Sequence, residues 1–296
     1  MTQTPFISIG ECMVELAPEA PGIYRRGFAG DTMNTAWYLA REGVPVSYAT
    51  RVGTDEISGK MVDFMQASGI GTDLIARDPD RTVGLYMIDL KEGERSFSYW
   101  RGQAAAKLIA RDRGWLEQVA SSSDKLFFSG ITLAVLETNA DRKAFLDQIA
   151  SARAKGATVI FDPNLRPRLW RDTKTMCNWL SRAARVSDIT LPSFEDEARW
   201  FGDTDIRATL QRYRRHGAST VVIKNGADEV LAWDAKEGEA RFTPTPTDPV
   251  DTTAAGDSFN AGFLAARYKG AALGDAIAAG SRLAAHVVSR RGALVD

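Results

Sequence analysis

The sequence predicts an α/β protein built on a mostly parallel β-sheet flanked by helices, with a small second β-sheet projecting from it. Three observations carry this. Short apolar runs alternate with longer stretches of helical period along nearly the whole chain, the order that a parallel sheet with crossover helices requires. Residues 82–101, TVGLYMIDLKEGERSFSYWR, break that rhythm with two alternating segments around the turn KEGE, which reads as an antiparallel hairpin. No repeat, low-complexity tract or linker divides the 296 residues, a length that one domain can wrap around a large core.

Taken in order, FISIG reads as the first strand, and CMVELAPEAPGIYRRGFAG (12–30) as an extended insertion before the helical TMNTAWYLAREG. VSYATRVG is a strand and SGKMVDFMQASG a helix. In the hairpin, the period of 2 puts Tyr99 and Arg101 on one face, and Tyr86 on a face with Ile88 and Leu90. The 12–30 and 82–101 segments together are expected to form the small sheet. After residue 124 come KLFFSG (strand), NADRKAFLDQIASARAKG (helix), then TVIFD, DITLP and STVVIKNG (strands). The last segment singled out is VDTTAAGDSFNAGF (250–263), a turn that runs into a helix.

Composition excludes several classes. A net charge of −1 leaves no basic field for nucleic acid, and no like-charge block makes a tail. Cys12 and Cys177 lie far apart, and the histidines are His216 and His286 alone, so neither a Cys/His zinc site nor a disulfide framework is expected. No apolar run is long enough to span a bilayer and MTQTPF has no targeting character, so the expectation is a cytoplasmic protein whose partners are small molecules or its own copies.

GTDEISGKM (53–61) has one residue too many between its glycines, and Met61 where a magnesium-binding hydroxyl should stand, so it is not a P-loop. IGECMVE after the first strand lacks the dinucleotide fingerprint. DTTAAGD is different. Its small residues Thr253, Ala254, Ala255 and Gly256 let an anion approach backbone N–H groups at a helix start. Asp257 there is either a helix cap or, since it would repel a resting phosphate, a base for the group that attacks one. The second reading suits phosphoryl transfer.

The motifs AGDTMN (29–34), DPNLRPRLW (162–170), VIKNG (222–226) and VDTTAAGDSFNAGF occur in the order seen in the ribokinase-like PfkB carbohydrate kinases, and the chain resembles that family over essentially its whole length. GECMVEL, YWRGQAAAKL, SGITLAVL and RGAL are most similar to the subgroup that phosphorylates 2-keto-3-deoxygluconate. The resemblance implies one ribokinase-like α/β domain over 1–296, with a lid inserted from about 12–30 and 82–102. It implies Asp257 and Arg166 as catalytic residues and Ala254, Ala255 and Gly256 as the anion hole. Gly30, Asp31, Asn34, Tyr86, Tyr99, Arg101, Arg166 and Asp257 match substrate-binding positions. For the turn with Gly30, Asp31 and Asn34 the alternative is a plain helix cap, with Asp31 or Thr32 capping MNTAWYLA. Asn164, Ser193, Lys224, Asn225, Gly226, Ala254 and Gly256 match nucleotide-binding positions. ATP and Mg²⁺ are the implied cofactors, with a monovalent cation as an option. The family's N-x-x-E is altered, with Pro192 in place of Asn, so Glu195 is left as a magnesium contact through water. A homo-oligomer formed through the lid is also implied. Other acceptors (fructose, ketodeoxygalactonate, a nucleoside) and a sensor without turnover are the alternatives.

Overall fold

The computed structural model describes residues 4–91 and 94–296, so Glu92 and Gly93 of the KEGE turn lie outside the described residues. Thirteen strands are described: β1 (Phe6–Ile9), β2 (Met13–Ala20), β3 (Ile23–Ala29), β4 (Val46–Gly53), β5 (Ile75–Asp78), β6 (Gly84–Lys91), β7 (Glu94–Trp100), β8 (Lys125–Ser129), β9 (Thr158–Asp162), β10 (Ile189–Thr190), β11 (Thr220–Ile223), β12 (Val230–Asp234) and β13 (Gly238–Phe242). The α-helices are α1 (Asp31–Arg41), α2 (Glu56–Ala67), α3 (Arg113–Ser121), α4 (Gly130–Val135), α5 (Asn139–Ala154), α6 (Thr173–Arg185), α7 (Phe194–Phe201), α8 (Ile206–Arg215), α9 (Ala255–Tyr268) and α10 (Leu273–Val288).

Nine strands form one sheet in the order β13-β12-β11-β10-β9-β8-β1-β4-β5. Pairing is parallel from β11 through to β5, and antiparallel only for β12 and β13 at one edge. The central strands read as unbroken apolar runs because both of their faces are buried. In β8, Leu126 and Phe128 enter one core while Phe127 enters the other, and β9 splits Val159 and Phe161 from Ile160 in the same way. Helices α3, α5, α6 and α8 close the first core; α1, α2, α9 and α10 close the second.

The second sheet has four strands in the order β3-β2-β6-β7. The β6/β7 hairpin is antiparallel, with Tyr86 opposite Tyr99. The 12–30 insertion supplies the antiparallel pair β2/β3, and the parallel β2/β6 pairing joins the two segments. Met13, Ala29, Tyr86 and Ile88 pack together with Ala293 and touch Ala254, so this sheet leans on the loop before α9. Among the described residues no helix is long and apolar enough to cross a membrane.

Candidate active site

Segments distant in sequence meet beyond the C-terminal ends of the parallel strands, where open α/β sheets place their ligands. Asp162 is the last residue of β9, Lys224 follows β11, and Glu11 stands just after β1. Against them lie the N-terminus of α1, capped by Gly30, and that of α9, capped by Ala254.

Asp257 sits in the first turn of α9, yet α9 has no side-chain cap, so the helix-cap reading does not describe it. Its Oδ2 accepts a hydrogen bond from Asn34 Nδ2 at 2.8 Å. Asp257 as a residue is half-buried. Burial, and next the charge of Asp31, push its pKa up to about 8, against the bond from Asn34 and the positive charge of Lys224. Asp31 does not cap α1 either, and Gly30 holds that place with no side-chain bond. Asp31 Oδ2 accepts from Asn164 Nδ2 at 2.7 Å, and burial raises its pKa also. Two carboxylates sharing one pocket cannot both ionise easily.

Among the described residues, the only non-glycine residues with positive φ are Asn164 at 33° and Ala254 at 61°, and both lie here. Such strain gathers where the surrounding fold overrides local preference to place a group. At Ala254 it turns the chain into α9. The first N–H groups of a helix lack helical partners, and of these Ala255 N donates to Thr252 O within the turn at 3.2 Å.

Lys224 is not a surface donor on a turn. Its ammonium is buried, donating to Asp162 Oδ2 and Asn260 Oδ1, each at 3.0 Å, while Asn260 Nδ2 donates to the same Asp162 oxygen at 2.5 Å. A Cβ built on Gly256 would lie 3.5 Å from Lys224 Nζ, so the charge stands beside the start of α9. Pro192 O accepts from Lys224 N, and Lys224 O accepts from Phe194 N, both at 2.8 Å. These bonds set Ser193, at the N-cap of α7, beside Lys224. Asn225 and Gly226, with φ 59° at the glycine, form the following turn.

Arg101 Nη2 is ion-paired with Glu11 Oε2. Tyr86 is buried and donates to Glu15 Oε2. Its ring lies 5.9 Å from that of Tyr99, which stays exposed. Arg166 keeps a half-exposed side chain that donates to its neighbour's carbonyl, Leu165 O, and faces Asp196 Oδ2 at 3.8 Å. It makes no hydrogen bond or ion pair with Asp257 among the described contacts. Glu195 is exposed in the first turn of α7. Among the described residues no three Asp, Glu, His or Cys side chains converge as a metal cage.

Glu11, Glu15, Asp162 and Asn260 are the residues that sequence reasoning passed over. Signals existed: Glu11 and Glu15 are charges inside an apolar run, and Asn260 follows Asp257 by three on one helix face.

The profile of the pfkB family carbohydrate kinases matches residues 4–296. The chain is 39% identical over 307 residues to a 2-dehydro-3-deoxygluconokinase of Dickeya dadantii strain 3937, spanning 100% of this chain and 98% of that one. It is 38% identical over 303 residues to the 2-dehydro-3-deoxygluconokinase of Escherichia coli K12, at 97% and 96% coverage. The crystal structure of aminoimidazole riboside kinase from Salmonella enterica, complexed with aminoimidazole riboside and an ATP analogue, superposes with a TM-score of 0.83 at 25% identity, covering 97% of this chain and 94% of that one. With its parallel sheet, its small second sheet and a carboxylate at the start of α9, the chain belongs to the pfkB family of carbohydrate kinases.

Proposed function

We propose that this protein transfers the γ-phosphoryl group of ATP to the 6-hydroxyl of 2-keto-3-deoxygluconate. The observation that carries the chemistry is the placement of Asp257: a carboxylate of raised pKa in the first turn of a helix, held by Asn34 from the turn Gly30–Asn34. In this reading the turn binds the sugar with Asp31 and Asn34, and Asp257 takes the proton from O6 as O6 attacks Pγ. The Pγ–O bond to the β-phosphate breaks, and ADP leaves with its electron pair.

The start of α9, with Ala254, Ala255 and Gly256, receives the phosphoryl oxygens, and buried Lys224 adds positive charge beside it. Asn164, Ser193, Asn225 and Gly226 border the nucleotide. Arg166 swings from the rim to neutralise charge on the transferring group. Mg²⁺ bound between the ATP phosphates would shield their charge, and the first-turn carboxylate Glu195 suits contact through a water, since Mg²⁺ keeps several of its waters. Tyr86, Tyr99 and Arg101 read the sugar acid from the small sheet, which acts as a lid that excludes water. The whole is one α/β domain that carries the lid and works in the cytoplasm as a lid-to-lid oligomer. A monovalent cation belongs to the same reading and is checked by turnover in potassium chloride against tetramethylammonium chloride.

The test is ADP release with ketodeoxygluconate, ketodeoxygalactonate, fructose and a nucleoside as acceptors. Ketodeoxygluconate should give the highest kcat/KM, and a preference for fructose overturns the acceptor assignment. Asp257→Asn should bind ATP as before and lose roughly 10²- to 10⁴-fold in kcat. Because the base works ionised and its pKa is raised, wild-type kcat/KM should climb through the neutral and alkaline range rather than level off above pH 5.

A further inference from the structure

Glu11 has no part in the mechanism above, yet it is 2% exposed and sits at the junction of the two sheets. Its main chain lies against the cap of α1, where a Cβ on Gly30 would come 2.3 Å from Glu11 O. Its side chain runs to the root of the hairpin, where a Cβ on Gly84 would sit 3.0 Å from Oε1 and 3.2 Å from Arg101 Cβ. Two glycines thus make room for one acid. Oε2 accepts from Arg101 Nη2, and Oε1 is buried with no hydrogen-bond partner. The charged groups that act on Glu11 are Arg101 and Lys107 on one side of the balance and Asp31 on the other.

Stability does not account for this arrangement. A buried ion pair seldom outperforms a well-packed apolar pair, and an unsatisfied buried oxygen is a cost. Its geometric effect is definite, because an arginine side chain has many rotamers and a bond to a fixed carboxylate selects among them. A guanidinium carries five N–H donors in a planar fork, so one edge can be held by Glu11 while another meets a second carboxylate.

We propose that Glu11 is a positioning residue for Arg101, holding the guanidinium at the foot of the lid in the orientation that receives the carboxylate of the sugar acid. This rests on the assignment of Arg101 as the reader of that carboxylate. A neutral sugar gains nothing from the arrangement, so Glu11 contributes to acid selectivity without touching the acceptor.

The test is a double-mutant cycle on the full chain, read as KM for ketodeoxygluconate, KM for ATP, kcat, and the thermal melt. Glu11→Gln keeps the volume and an acceptor oxygen and removes the charge. It should raise the KM for ketodeoxygluconate about tenfold or more while kcat and the KM for ATP stay within about twofold, and the KM for fructose should not move. In an Arg101→Gln background the same change should add no further rise. An unchanged or lowered KM in Glu11→Gln overturns the proposal, as does a rise of equal size with Arg101 already gone. If Arg101→Gln alone leaves the KM for the acid unchanged, the assignment of Arg101 fails and the positioning role fails with it. A wild type that does not phosphorylate ketodeoxygluconate overturns the proposed function itself. Should Glu11→Gln not fold, Glu11→Asp carries the test: it keeps the charge but shortens the reach, so the acid KM should still rise, and no rise overturns the proposal.

Discussion

Asp257 carries opposing demands. Ionised, it can accept a proton, but ionisation inside a pocket shared with Asp31 and Asp162 works against folding. In the unfolded chain an Asp titrates near 3.9, whereas in the fold its pKa is pushed up to about 8. Between those values the folded state holds more protons than the unfolded state, so this group makes stability fall as pH rises from about 4 to about 8 and has no further effect above that. Asp257→Asn removes the penalty while keeping the side chain's shape. The variant's melting temperature should therefore exceed that of the wild type by a margin that widens between pH 5 and pH 8. Parallel melting curves across that range would falsify the raised pKa, whatever the variant does to turnover.

At the scale of elements, α9 owes its position to α10. A Cβ on Gly280 would lie 2.7 Å from Phe259 O, and one on Gly262 would lie 3.0 Å from Ala279 O, so the two helices touch backbone to backbone. Gly280→Ala presses on a helix carbonyl that cannot rotate away, two residues after Asp257. It should cost about 1–3 kcal/mol in stability and lower kcat as the start of α9 shifts. Gly59→Ala, within α2 and with nothing inside 4 Å of the added carbon, should instead stabilise by about 0.5–1 kcal/mol; equal effects of the two in denaturant unfolding and turnover assays would dismiss the contact argument. Neither contact can be read from sequence, where both glycines only lower helix propensity. The β6/β7 hairpin was legible because alternation is local, and β8 and β9 because burial on both faces leaves continuous apolar runs. The parallel pairing of β2 with β6 leaves no local trace. The site divides along the same line. Asp257, Asn34 and Asn164 stand in motifs, whereas Lys224–Asp162, Asn260–Asp162 and Arg101–Glu11 join residues 62, 98 and 90 positions apart, and no window along the chain contains both partners.

For the whole molecule, the small β3-β2-β6-β7 sheet, the proposed lid, presents an unusual surface. Ile23, Tyr24, Phe97, Tyr99 and Trp100 are its large exposed apolar side chains, with Trp100 57% and Ile23 56% exposed, and Val250 is the only other of that kind among the described residues. Apolar surface gathered on one small sheet is characteristic of an interface, and aromatic residues are enriched at interface centres. Tyr99 pairs with Tyr86 across the hairpin, and Arg101 follows Trp100 directly, so a partner resting on this sheet would also hold the residues proposed to read the sugar acid. The protein should accordingly run in light scattering at twice the mass of one chain. Trp100→Glu, which sets a charge on that sheet, should return it to one chain and raise the KM for ketodeoxygluconate more than the KM for ATP, because the proposed lid loses its support while the proposed nucleotide site does not. A wild type that is monomeric at assay concentration rules out the lid-to-lid oligomer. A Trp100→Glu variant that becomes monomeric with an unchanged sugar KM would keep the interface and separate it from substrate binding.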